Sequence, residues 1–323
     1  MKIIFMGTPD FAAGILEALV RDGQDVIAAV SQPDKPVGRK AELRPTAVKA
    51  AAEAAGIPVL QPERLRDPEF MEKLENLAPD VIIVAAYGKI IPPFILELAP
   101  YGCLNVHASL LPKYRGAAPI QWAILDGEKE TGVTIMQMNE GLDTGDMLAV
   151  SRVAITAEET GGSLFDKLEE EGSRLLLETL PLIEKRALKP KAQPKDSPTA
   201  YARMIEKKDG EINWEEEAAA IERRVRALDP WPGTYTRLDG KLFKVLKSRV
   251  LTEDKTNTVN CDKIGTGQQP GTILQTGRDG IDVRTGAGIL RVTEVQLEGK
   301  KRMTAADFLR GYPLEIGTVL DSH

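Results

Sequence analysis

The sequence predicts an α/β fold in which a doubly wound sheet domain is followed by a small β-barrel domain. Three observations predict it. Short, continuous apolar runs alternate with helical stretches through the first half, the pattern of a parallel sheet covered on both faces. A stretch rich in proline and lysine, Lys189-Pro190-Lys191-Ala192-Gln193-Pro194-Lys195-Asp196-Ser197-Pro198, then carries no large apolar residue. After it, short strands broken by turns take over, and several at this spacing build a barrel or sandwich. The length of 323 residues also favours two cores, because single cores seldom grow much past about 250 residues.

In chain order, strands are expected at Lys2–Met6, Val26–Ser31, Val81–Ala85, Leu104–His107 and Val133–Met138. Helices fall between them near Phe11–Val20, Thr46–Ala55, Pro68–Leu77 and Pro93–Leu98. This alternation calls for right-handed crossovers. A longer helix is expected near Gly162–Lys185, where Leu164, Leu168, Leu175, Leu176 and Leu180 recur at helical spacing. The Pro/Lys stretch reads as an extended, exposed linker. One helix, Glu215–Leu228, precedes expected strands at Thr234–Leu238, Lys241–Val250, Gly271–Gln275, Gly280–Arg284 and Gly288–Leu297. Asp239-Gly240, Asp279-Gly280 and Gly286-Ala287-Gly288 supply the turns of antiparallel hairpins. The expected partition is a catalytic domain over 1–188, a linker over 189–208 and a barrel over 209–323.

Composition is that of an ordinary globular protein, 42% hydrophobic and 28% charged. The net charge of -6 gives no global signal for nucleic acid, so any such contact needs a local basic patch. Candidate patches are Arg223-Arg224-Val225-Arg226, Lys241 to Arg249 and Lys300-Lys301-Arg302, which read either as solubilising surface or as a stripe along an RNA backbone. Cys103 and Cys261 make no disulfide framework, and Cys103, in an apolar run, reads as a buried hydrophobe. No cluster of His, Cys and carboxylate ligands appears, so no metal is expected. The chain opens on a strand, with Asp10 interrupting any apolar leader, and no apolar run reaches membrane-spanning length. A monomer of the cytoplasm is the default expectation.

Histidine occurs only twice, at 107 and at the last position. Asn105 and His107 close a strand and, two residues apart, share a face. An amide beside an imidazole can hold a developing oxyanion and move a proton, or can be a hydrogen-bonded structural pair. The chain continues through Ser109-Leu110-Leu111-Pro112-Lys113-Tyr114-Arg115-Gly116 to a helix near Ile120, at the carboxyl end of a strand, where ligands bind in such sheets. Asp143, in Glu140-Gly141-Leu142-Asp143-Thr144-Gly145-Asp146, follows a strand expected to neighbour Leu104–His107. It is either an Asx-turn former or a carboxylate that fixes the imidazole. Ser109 lacks the G-x-S-x-G elbow of a serine nucleophile. Gly7-Thr8-Pro9-Asp10 follows the first strand but does not make the dinucleotide pattern. A long loop after the second expected strand carries Lys35, Arg39, Lys40 and Arg44. On the same rim as His107, this cationic loop suits a phosphate-bearing substrate.

Asn105-Val106-His107-Ala108-Ser109-Leu110-Leu111-Pro112-Lys113-Tyr114-Arg115-Gly116 with Gly141-Leu142-Asp143-Thr144-Gly145 resembles the 10-formyltetrahydrofolate-dependent formyltransferases. Phe5-Met6-Gly7-Thr8-Pro9-Asp10-Phe11-Ala12 and Pro33-Asp34-Lys35-Pro36-Val37-Gly38-Arg39 extend the resemblance, over essentially the whole chain, to the bacterial branch whose acceptor is methionyl-initiator tRNA. The resemblance implies a Rossmann-like domain that binds folate and an OB-like barrel that helps hold tRNA. It implies Asn105, His107 and Asp143 as the catalytic trio, with the proton assignable to either of the last two. Ser109, Leu110, Leu111 and Pro112 match the folate-contacting segment, and Tyr87, Lys89, Glu140 and Gly141 fall in the implied pterin pocket, which uses main chain. The basic loop is implied to reach the acceptor end of the tRNA, with Arg39 foremost. 10-Formyltetrahydrofolate is implied as a consumed cosubstrate. The trio identifies the chemistry better than the acceptor, so an amino-sugar-nucleotide acceptor stays open. A non-catalytic RNA-binding protein would explain the basic clusters but not the trio.

Overall fold

The computed structural model describes residues 1–37, 42–251 and 268–321. Arg39 and Lys40 of the basic loop, Cys261 and the terminal histidine lie outside them. The chain forms two compact units. One comprises Met1–Ile120, Lys129–Ile155 and Ser163–Met204; the other comprises Gln121–Glu128, Thr156–Gly162 and Ile205–His323. The main break therefore falls after Met204, and two short pieces of earlier chain belong to the second unit.

The chain runs β1 (Lys2–Gly7), α1 (Asp10–Arg21), β2 (Asp25–Val30), β3 (Lys35–Val37), β4 (Glu42–Arg44), α2 (Ala47–Ala54), β5 (Val59–Leu60), α3 (Pro68–Leu77), β6 (Val81–Ala85), α4 (Pro93–Leu96), β7 (Cys103–His107), α5 (Pro119–Leu125), β8 (Glu130–Gln137), β9 (Met147–Ala154) and α6 (Gly161–Glu184). Seven strands of the first unit form one sheet in the order β5-β2-β1-β6-β7-β8-β9. Its central strands are fully buried: Ile3, Ile4, Phe5 and Met6 are sealed from solvent, as are Ile82 and Ile83. Each such side chain contributes about 1.5–3 kcal/mol of burial. Ile4, Met6, Ile82 and Val84 pack with Phe70 and Leu74 of α3 and Ile95 and Leu96 of α4. On the other face, Gly172 of α6 sits so close to Val106 that a Cβ would come within 3.1 Å of its Cγ1. The five leucines read as the buried stripe of α6 are all buried.

Gly7 owes its place to this packing. A Cβ there would lie 2.5 Å from that of Ala12 and 2.9 Å from the Ala85 carbonyl oxygen. The glycine lets α1 sit tight on the sheet, which accounts for it without a phosphate cradle.

Two expectations need correction. The strands from β5 to β7 are parallel, but β8 runs antiparallel to β7, and β9 antiparallel to β8. The chain leaving β7 stays at that end of the sheet, where Thr134 of β8 bonds the Ser109 carbonyl and Leu111 N–H, and an antiparallel strand needs no crossover back along β7. The basic loop, in turn, is partly structured: β3 and β4 form a two-stranded ribbon that pairs Lys35 with Arg44 and Pro36 with Leu43. Its proline and short strands hide it from pattern reading.

The second unit adds α7 (Ala218–Ala227), β10 (Thr234–Leu238), β11 (Lys241–Leu251), β12 (Ile273–Gly277), β13 (Gly280–Arg284), β14 (Ile289–Leu297), β15 (Met303–Thr304) and α8 (Ala305–Gly311). The antiparallel order is β10-β11-β14-β13-β12, with β15 beside β14. Bridges from Val319 to Thr272 and from Asp321 to Arg237 let the last described residues connect the two edges, so the sheet closes as a barrel. Asp239 and Gly240 both have positive φ, 50° and 72°, as the turn between β10 and β11 requires. Trp214, buried inside, donates Nε1–H to Thr236 Oγ1 at 3.1 Å. The basic clusters of this unit are paired in part. Arg224 pairs with Glu216, Arg226 with Glu222, and Lys247 and Arg302 with Glu294.

Candidate active site

Pleating sends Val106 towards α6 and leaves Asn105 and His107 on the opposite face at the end of β7. Both are buried, at 8% and 6% exposure. Because β8 is antiparallel, its end lies beside the beginning of β7, with Gln137 opposite Leu104. The 138–146 loop must double back to bring Asp143 to the imidazole. Glycines permit this: a Cβ on Gly145 would lie 1.8 Å from the Gln137 carbonyl oxygen, and one on Gly141 2.1 Å from Thr144 Oγ1. Asn139 Oδ1 accepts from Gly141 N–H at 3.0 Å and from the Thr144 hydroxyl at 2.9 Å, which ties the bend. Asp143 itself is left-handed, φ 51°, a conformation that costs an L-residue about 1–2 kcal/mol.

The three polar side chains meet on one carboxylate. Asn105 Nδ2 donates to Asp143 Oδ1 at 3.4 Å, and His107 Nδ1 lies 3.9 Å from the same oxygen. Gly116 N–H donates to Asp143 Oδ2 at 2.9 Å. His107 Nε2 lies 3.0 Å from the Tyr114 carbonyl oxygen. A carbonyl only accepts, so Nε2 carries a hydrogen. The nitrogen facing Asp143 is therefore Nδ1, which donates only when the ring is an imidazolium. An amide donor, a switchable imidazole and a carboxylate thus converge on one point, the equipment for stabilising an oxyanion and moving one proton.

The segment after His107 is knotted to β8. Ser109 is fully buried, donates its hydroxyl to the Lys113 carbonyl at 2.6 Å, and so has no nucleophilic freedom. Thr134 Oγ1 donates to the Ser109 carbonyl at 2.7 Å and accepts from Leu111 N–H at 3.2 Å. Leu111 is buried, while Leu110 and Pro112 are half-buried. The Tyr87 side chain belongs to the core under β6. Its carbonyl accepts from Thr8 and Gln32, its hydroxyl is buried without a partner, and burial pushes its phenol up to about 12. Lys89 Nζ donates to the Glu63 carbonyl at 2.9 Å. Glu140 and Gly141 are exposed on the doubled-back loop. Lys35 and Arg44 face each other across the exposed ribbon. Burial pushes the Cys103 thiol up, which keeps it inert.

Sequence reasoning missed Tyr114, Gly116 and Thr134 as supports of the trio, and Gln193. Tyr114 and Gly116 act through main chain, which residue type does not announce. Gln193 sits in the Pro/Lys stretch, whose composition suggests only solvent. The 191–202 part is extended but fastened: Ser197 donates to the Pro112 carbonyl at 2.8 Å, and Thr199 Oγ1 accepts from Tyr114 N–H at 2.7 Å. Among the described residues, no group of three or more His, Cys, Asp and Glu is placed to hold a metal ion, and no helix is long and apolar enough to cross a membrane.

Residues 1–180 match the family model described as formyl transferase, and residues 204–313 match the formyl transferase C-terminal domain. The chain is 48% identical over 320 residues to the methionyl-tRNA formyltransferase of Lachnospira eligens, covering 99% of both chains. It is 49% identical over 320 residues to that of Citrifermentans bemidjiense, covering 99% of this chain and 96% of the relative. The solved structure of WlaRD, a sugar 3N-formyl transferase, superimposes with a TM-score of 0.65 at 18% identity, over 93% of this chain and 99% of that one. That likeness is one of fold. Sequence match along both units and the geometry at the end of β7 lead to the same conclusion: this chain belongs to the formyl transferase family, as a formyl-group transferase.

Proposed function

We propose that this chain transfers the formyl group of 10-formyltetrahydrofolate to the α-amino group of methionyl-initiator tRNA. The observation that carries the chemistry is the convergence of Asn105 Nδ2 and His107 Nδ1 on Asp143 Oδ1. The acceptor rests on full-length relatives named methionyl-tRNA formyltransferase.

In this reading, the neutral α-amine attacks the formyl carbon, a C–N bond forms, and the carbonyl oxygen becomes an oxyanion. Asn105 Nδ2–H and the His107 imidazolium donate to that oxygen, each donor contributing about 3 kcal/mol. The Asp143–His107 pair takes up the proton shed by the attacking nitrogen and returns one to N10 as the C–N10 bond breaks. The 109–112 turn, the main chain at 86–89 and the 140–141 bend frame the folate side. Lys35 and Arg44, with Arg39 and Lys40, supply the charge that meets the tRNA acceptor end. A cytoplasmic location accords with action on a tRNA in this reading.

Incubation with the formyl donor and charged initiator tRNA should yield N-formylmethionyl-tRNA, whereas amino-sugar nucleotides should stay unmodified. His107→Ala and Asn105→Ala should each lose about 10²–10³-fold in kcat and keep tRNA binding. Full turnover by His107→Ala at saturating folate would remove the catalytic assignment, and tight tRNA binding without any transfer would favour a non-catalytic RNA binder.

A further inference from the structure

The two residues that flank Arg115 each hold one member of the trio. Tyr114 contributes the carbonyl that holds His107 Nε2, and Gly116 the N–H that holds Asp143 Oδ2. Arg115, between them, is 8% exposed, and its guanidinium points to Gln193. Gln193 Oε1 accepts from Arg115 Nε at 3.1 Å and Nη2 at 2.9 Å. Gln193 Nε2 donates to the carbonyls of Asp143 at 3.0 Å and Gly145 at 2.7 Å. Arg115 also donates to the carbonyls of Pro194 at 2.8 Å and Lys195 at 3.1 Å.

The orientation of this amide is forced. Guanidinium only donates and main-chain carbonyls only accept, so a flipped Gln193 would face donor with donor and acceptor with acceptor. Among the described residues, Arg115 donates its hydrogen bonds to neutral oxygens, an unusual place for a buried charge, since buried charges are normally paired. Packing alone would not call for it. What the arrangement does accomplish is to hold Asp143 in its left-handed conformation from the outside.

We propose that Arg115 and Gln193 form a clamp that positions the Asp143 carboxylate against Asn105 and His107, so that a segment remote in sequence sets the geometry of formyl transfer. Gln193 is a positioning residue, and the proposal rests on the trio reading above. The clamp acts on Asp143 alone among the three, through its main chain. Its loss changes turnover rather than substrate binding.

The test uses the full-length chain with Gln193→Leu and Gln193→Glu. Glu keeps the acceptor for Arg115 but has no donor for the two carbonyls, and it retains size and polarity if Leu fails to fold. Both variants should lose about 10²-fold in kcat, the scale of a 1 Å misplacement, with KM for folate and for charged tRNA unchanged. In the Asp143→Asn background, either Gln193 change should add no further loss, because both act through the same carboxylate. Unchanged kcat in both variants, a loss confined to KM, or losses that multiply with that of Asp143→Asn would overturn the clamp. Full turnover by Asp143→Asn alone would overturn the trio reading, and the clamp with it. Loss in Asp143→Asn beside full turnover in both Gln193 variants would overturn the clamp only.

Discussion

Two threonines of β8 offer a matched experiment. Thr134 is fully buried and its hydroxyl makes two bonds, to the Ser109 carbonyl and from Leu111 N–H. Thr131, three residues earlier on the same strand, is 2% exposed and its hydroxyl has no partner. Replacing either by valine exchanges a hydroxyl for a methyl of nearly the same size. At 134 the exchange strands one main-chain acceptor and one main-chain donor. Each orphaned buried group costs about 1–3 kcal/mol, so Thr134→Val should destabilise by about 3 kcal/mol. At 131 the exchange removes a hydroxyl that was desolvated for nothing, and should stabilise by about 1 kcal/mol. Urea unfolding reads both effects as shifts of the midpoint at constant slope. The midpoints should move in opposite directions. Thr134→Val should also raise KM for the folate donor, because the 109–112 turn loses its anchor, while Thr131→Val leaves it alone. A midpoint that does not fall in Thr134→Val would show that the bonds to Ser109 and Leu111 carry no net stability.

Further outcomes are expected elsewhere in the first unit. Gly145→Ala places a Cβ 1.8 Å from the Gln137 carbonyl oxygen, so the doubled-back loop must shift. Steady-state kinetics should show kcat reduced by about 10²-fold, with tRNA binding retained. Burial pushes the Tyr87 phenol up to about 12, whereas the unfolded chain releases that proton near 10. The site's contribution to stability is therefore complete below about pH 10 and is lost as pH rises through about 12. Tyr87→Phe should melt no lower than the parent at pH 8 and progressively higher than the parent at pH 10 to 11, in thermal scans across that range.

Much of this architecture was legible in local pattern. The five-leucine stripe of α6, the Asp239-Gly240 turn and the apolar central strands all express periods that residues impose on their neighbours. Other elements were written faintly. The strand β9 exposes most of one side at the sheet edge, so it lacks the continuous apolar run that marks a central strand. The helix α8 carried a readable signal: Thr304 caps it by accepting from Asp307 N–H at 3.1 Å, the threonine-to-acid spacing of a helix start. Asn105 and His107 drew notice as candidates because an amide and an imidazole close an apolar strand, and Asp143 because its loop resembles a known family's.

The sequence by itself determined the central strands and the longer helices, that β7 ends in an amide and an imidazole on one face, and to which family the motif points. Alternation and helical spacing are local properties, and motif chemistry lies within a few residues. Only the tertiary structure decided that β8 enters antiparallel, because that depends on contacts between β8 and the chain leaving β7. It also decided that the 138–146 loop doubles back, that His107 turns Nδ1 to Asp143, and that Gln193 reaches two carbonyls about fifty positions away in the chain. Those depend on groups distant in the chain, several of them main-chain groups that are the same in every residue type, so no local pattern encodes them.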